Sequence, residues 1–216
     1  MSTDQELPVF PTTAPVAFSD PEATAELYHQ VLGRLADVVG VDDDRLADPT
    51  PCAGYDVAAL RDHVLGWLQF FAAALTDPAG AGTRPDPASF ALGDATAADV
   101  VRRAEADIAR AVADGAAGEL VVMSAARMAG DGVLAMALGE YIIHAWDLAV
   151  ATGRPYPAPE EAISPAHEFL RGMVTPDYRG PESGFFDAEV AVPADSSALD
   201  QLLGFAGRDP RWTPPS

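Results

Sequence analysis

The stretch DGVLAMALGEYIIHAWDLAVA (131–151) decides the fold. Val133, Leu134, Met136, Leu138, Ile142, Ile143, Trp146, Leu148 and Val150 make it apolar nearly all round. A helix with that pattern belongs in the middle of a protein, covered by others. Gly153-Arg154-Pro155 ends it. Glu140, His144 and Asp147 interrupt the run, as Gln69 interrupts the other long apolar stretch at 64–75, so neither suits a membrane span.

The covering helices lie on either side. Ser19-Asp20-Pro21-Glu22 is a helix start, with a polar cap, an early proline and an acid near the positive end of the dipole. The helix it opens runs to about Val39, with Leu27, Val31, Leu35 and Val38 as its stripe. Asp56 caps a second helix over about 57–76, with Val57, Leu60, Val64, Trp67 and Phe71 inward. A Gly/Pro linker from Pro78 to Pro87 follows. A third helix spans about 96–114, with Val100, Ala104, Ile108 and Ala111 or Val112 inward and arginines outside. Leu120 to Met123 is short and β-branched, and its conformation is ambiguous. Beyond the central helix, Pro159 to Met173 holds another helical pattern, Phe185 to Val192 reads as a short extended piece, and Ser196 to Phe205 as a last helix. The expectation is an all-α protein: an antiparallel four-helix bundle over 19–155, preceded by an extended arm (1–18, with Pro8, Pro11 and Pro15) and followed by a C-terminal extension (156–216) packed on it.

Composition narrows the function. The 216 residues suffice for one sizeable core. The net charge is −20, and all 13 basic residues are arginine. That field repels nucleic acid and anionic membranes, which leaves a small molecule as the expected partner of a monomer or homodimer. The single cysteine, Cys52, excludes an internal disulfide and a Cys-built metal site. The start MSTDQELPVF has no basic or apolar leader pattern, so a cytoplasmic protein is expected.

The chemistry-bearing residues sit on the central helix. At about 100° per residue, Glu140, His144 and Asp147 fall within about 60° of one another. Residues four apart have Cβ atoms about 5–6 Å apart, which lets Glu140 and His144 converge on one cation. Buried without partners, these groups would cost several kcal/mol, so something satisfies them. One reading is a hydrogen-bonded Glu140–His144 pair. The other is a metal, with His63 on the inward face of the second helix as third ligand and Asp147 supporting the site or touching substrate. Two imidazoles and one carboxylate suit zinc with an open position; nickel, iron and manganese are the alternatives. No glutamate directly follows His63 or His144, so this is not the HExxH arrangement of a zinc protease.

The segments PTPCAGYDVAALRDHVLGW (49–67), ALGEYIIHAWDLAVATGRP (137–155) and VPADSSALDQLLGFAGRDPRW (192–212) resemble, in order and spacing, the DinB/YfiT-like metal-binding bundles. The similarity is greatest to small members of the branch of mycothiol-dependent maleylpyruvate isomerase. It implies a four-helix bundle holding a divalent metal, usually zinc, through His63, Glu140 and His144. It also implies a low-molecular-weight thiol such as mycothiol as co-substrate, whose thiolate attacks an electrophile. Tyr55 stands where many relatives have Trp, and the roughly 60 residues after the central helix are too few for the isomerase's separate C-terminal domain.

The expected function is therefore a metal-binding, thiol-dependent transferase or isomerase. A hydrolase using metal-activated water and a non-catalytic binding bundle are the alternatives. Arg154 is a candidate for meeting an anionic substrate or the negative helix end. Cys52 reads as a reactive thiol near a helix start or, more simply, as a small buried loop residue. Trp67 and Trp146 flank the candidate ligands, and His29 and His167 read as surface or packing residues.

Overall fold

Three side chains start three of the long helices. In a computed structural model describing residues 7, 9, 18–124, 126–180 and 186–215, Asp20 accepts from the Glu22 and Ala23 amides and opens α1 (Pro21–Val39). Asp56 accepts from Ala59 and opens α2 (Val57–Thr76). Thr96 accepts from Asp99 and opens α3 (Ala97–Ala113). Each cap satisfies an amide that has no partner inside its helix. The central helix α4 (Gly130–Ala151) has no side-chain cap. It grows straight out of a small antiparallel hairpin, β1 (Leu120–Val122) with β2 (Arg127–Ala129), and the Gly130 amide donates to Glu119 O at 2.8 Å. A Cβ on Gly130 would lie 1.9 Å from Ala116 O, so only glycine allows this start.

Among the described residues the fold is all-α apart from that hairpin. α4 packs against α1, α2 and the C-terminal helix α5 (Glu160–Met173). Its most apolar window is long enough to cross a membrane but is 83% buried inside the protein, as a core helix is. Helix direction follows from who meets whom. The Tyr28 hydroxyl donates to Leu134 O near the starts of α1 and α4, and Arg154 and Arg45 tie their ends, so those two run parallel. His63 meets His144 and Phe71 meets Tyr141, so α2 runs antiparallel to α4. The ends of α2 and α3 share a surface depression, so they run parallel. The bundle therefore runs up, down, down, up. The Gly/Pro connection at 77–96 is long enough to return along α2 before α3 begins; its one 3-10 turn, Pro87–Ser89, packs on α2.

Beyond α4, α5 packs on α4, and α6 (Ala198–Phe205), capped by Ser197, packs on α5. The segment expected to extend from Phe185 to Val192 forms only a single bridge, Phe186 with Arg179; Phe185 itself lies outside the described residues. Most of the expected N-terminal arm also lies outside them. Of its described residues, Leu7 accepts from Arg127 through its carbonyl, Val9 bridges to Arg127, and Phe18 is buried in the core. β2 had no sequence signal, since Arg127-Met128-Ala129 is neither β-branched nor alternating. Only Met128 faces inward, paired with Val121.

Candidate functional site

The antiparallel crossing of α2 and α4 brings His63 beside the stripe on α4. The rings of His63 and His144 lie 5.4 Å apart, centroid to centroid. His144 Nε2 is 3.3 Å from Glu140 Oε2. One ligand atom from each of His63, Glu140 and His144 lies within 4.8 Å of the other two. Ligands bonded at about 2.1 Å in a tetrahedron stand about 3.4 Å apart. The spacing and the donor types fit a divalent ion of the zinc class. His63 and Glu140 are half-buried and reachable, while His144 is only 7% exposed. Tyr55 and Trp67 flank His63 edge-on, and the Tyr55 hydroxyl stands 3.4 Å from His63 Nδ1.

Behind His144 lies a second, closed layer. Asp147, fully buried, sits 3.0 Å from His144 Nδ1. A carboxylate there fixes ring orientation and keeps a proton on Nδ1, so that Nε2 is the nitrogen offered to a metal. Arg208 in turn holds Asp147: Nη2 is 3.2 Å from Oδ2 and Nε 3.4 Å from Oδ1. Its Nη2 also reaches Cys52 Sγ at 2.9 Å, and Nη1 donates to Ala206 O. Arg208 arrives from the turn after α6. Gly207 takes φ +86 there, and a Cβ on it would lie 2.7 Å from Asp187 Cβ.

Charges follow this layering. Burial, and then the neighbouring His144, lowers the pKa of His63, which is therefore neutral and has a lone pair to give. Burial also opposes charge on His144, but its bonds to Asp147 and Glu140 outweigh burial and push it up to about 9. Burial works against the Glu140 carboxylate too; the His144 hydrogen bond and charge overcome that and hold its pKa below the ordinary value. Burial pushes the Cys52 thiol up to about 12 although Arg208 lies against it. Arg208 is itself held charged: burial opposes this, and Asp147 more than compensates.

The structure thus brings His63, Glu140, His144 and Asp147 together. It does not bring Arg154 to them: that side chain lies past the end of α4 and donates to Asp37 O at the end of α1. The cation near the site is Arg208, which sequence reasoning missed. A signal existed: Asp147 on an apolar helix needs a positive partner, and in a chain without lysine that partner has to be arginine or histidine. Periodicity says nothing about which of 13 arginines it is. Cys52 is a buried loop residue, 8% exposed, and not an open thiol. His29 pairs with Glu105 on the surface and His167 with Arg171.

A profile of the family described as "Mycothiol maleylpyruvate isomerase N-terminal domain" matches residues 28–149, which span all three candidate ligands and Asp147. The chain belongs to this family. Its C-terminal part, which delivers Arg208, lies beyond the matched residues. Two proteins similar to this chain are "Uncharacterized protein MT0763" and "Uncharacterized protein Rv0738", from two strains of Mycobacterium tuberculosis (CDC 1551 / Oshkosh and ATCC 25618 / H37Rv). Each is 28% identical over 176 residues, covering 81% of this chain and 91% of the relative. A crystal structure of the mycothiol-dependent maleylpyruvate isomerase aligns with a TM-score of 0.47 and 16% identity over 69% of each chain.

Proposed function

We propose that His63, Glu140 and His144 hold a divalent metal, zinc by donor preference, and that the protein is a cytoplasmic transferase or isomerase using a low-molecular-weight thiol of the mycothiol kind. The supporting observation is the convergence of two imidazoles and one carboxylate, half open to solvent, on ligand atoms within 4.8 Å of one another. A divalent ion held there would lower the pKa of a thiol beside it and so supply a nucleophilic thiolate at neutral pH. The chain's own residues do the rest. His63 and Glu140 form the reachable edge of the site. Asp147 keeps the His144 proton on Nδ1, and Arg208 holds Asp147 in place through Nε and Nη2. The rings of Tyr55 and Trp67 pack edge-on against His63 and hold its ring in place. Cys52 is not the nucleophile, because it is buried and its thiol is pushed up to about 12; the thiol has to come from outside.

The test is metal content followed by turnover. Wild-type protein is expected to hold a zinc-class ion, and His63→Ala and His144→Ala to lose it. Loaded wild type is expected to consume a low-molecular-weight thiol with at least one of a panel of activated alkenes, and metal-free protein not to. Equal metal in His144→Ala and wild type overturns the site. Ester or amide turnover that needs no thiol overturns the thiol reading in favour of a hydrolase.

A further inference from the structure

His144 stands between two donor sets. Its Nε2 faces Glu140 at 3.3 Å and its Nδ1 faces Asp147 at 3.0 Å. The outer set is His63, Glu140 and His144; the inner set is Cys52, His144 and Asp147, and each has its ligand atoms within 4.8 Å of one another. By chemistry alone the inner set is the stronger competitor, because a thiolate is a preferred ligand of zinc-class ions. The two sets differ in access. His63 and Glu140 are half-buried, whereas Cys52 is 8% exposed and Asp147 fully buried. They also differ in occupancy. The guanidinium of Arg208 already sits in the inner set, with Nη2 2.9 Å from Cys52 Sγ and 3.2 Å from Asp147 Oδ2.

We propose that Arg208 is a resident cation that reserves the inner donor set, so that a divalent ion is taken only by the outer, reachable one. This rests on the outer set being the metal site. A guanidinium cannot shed its proton, so it cannot yield its place by neutralising itself. Its third nitrogen is pinned by Ala206 O, and the Gly207 turn fixes its approach. An ion in the inner set would be sealed from any co-substrate and would strip the orienting carboxylate from His144. Arg208 is thus a positioning residue: it acts on where the metal binds and makes no contact with substrate.

Cobalt(II) is the probe, since a cysteine thiolate bound to it gives a charge-transfer absorption that imidazole and carboxylate do not. The metal-free full chain, loaded with an equimolar amount of cobalt(II), is expected to show no thiolate band, and Cys52→Ala to take up cobalt as wild type does. Arg208→Gln, which removes the charge but keeps hydrogen-bonding groups, is expected to gain the thiolate band. Adding Cys52→Ser to it is expected to abolish the band, and Arg208→Lys to leave it absent. A thiolate band in the wild type overturns the proposal, and this arm needs no variant to fold. So does cobalt-loaded Arg208→Gln without the band. If wild type takes up no cobalt, both this proposal and the outer metal site fall. If cobalt uptake depends on His63 and His144 but Arg208→Gln gains no band, only the role of Arg208 falls.

Discussion

At the scale of single residues, His144 carries the pH dependence of the metal-free protein. Its pKa is raised from 6.5 to about 9 by Asp147 and Glu140 against the opposing effect of burial. A group raised in this way stabilises the fold fully below its unfolded value and stops doing so above its folded value. Urea unfolding in the presence of chelator is therefore expected to show stability falling as pH rises from 6.5 towards 9. The loss is on the order of 3 kcal/mol, since each pKa unit is worth about 1.4 kcal/mol. Constant stability across that window would contradict the ion-pair geometry around His144. Asp147 gives a second residue-level outcome. Asp147→Asn keeps the shape but leaves Arg208 charged and unpaired in the interior, and it weakens the hold on His144. Metal affinity is expected to drop about 10–100-fold, and stability by about 3–5 kcal/mol, read by competition with a chelator and by urea titration.

At the scale of elements, the start of α4 governs the site as much as its ligands do. Gly130 has Ala116 O where a Cβ would be, at 1.9 Å. Gly130→Ala is expected to push the turn at Ala116 and Ala117 away from the helix and to cost about 1–3 kcal/mol in an unfolding titration; an unchanged midpoint would mean the backbone there yields freely. This also marks where the sequence was legible. The four long helices, their Asp20 and Asp56 caps and the shared face of Glu140, His144 and Asp147 all follow from local chemistry: capping oxygens, apolar stripes and the 3.6-residue turn. The apolar face of α2 likewise put His63 in reach. What local chemistry does not carry is pairing across the chain. The order of the helices in the bundle depends on a connection that can reach either way, β2 exists only because β1 pairs with it, and Arg208 reaches Asp147 from 61 residues away. Arg154, adjacent in sequence to the end of α4, looked nearer to the site than it is because a helix carries its C-terminal neighbours away along its axis, about 1.5 Å per residue.

At the scale of the whole molecule, the net charge of −20 bears on which electrophile arrives rather than on the fold. Arg208 is spent on Asp147, and Arg154 is tied to α1. The field around the site mouth is then set by the acidic exterior and by whatever charge the ion at the outer set contributes. An anionic electrophile has to approach against that exterior, whereas a neutral one does not. Salt screens the exterior, since the Debye length shrinks from about 30 Å at 0.01 M to about 8 Å at 0.15 M, while an ion inside the pocket is screened much less. For the proposed thiol-dependent reaction, kcat/KM with an anionic electrophile is therefore expected to rise several-fold over that range of ionic strength. With a neutral electrophile it is expected to stay level, because long-range charge acts on encounter rates. The comparison is made with the same thiol at a fixed, saturating concentration, so that the salt response belongs to the electrophile. A fall with salt for the anionic electrophile would mean that a local positive field at the mouth outweighs the exterior, and would place an unneutralised arginine there.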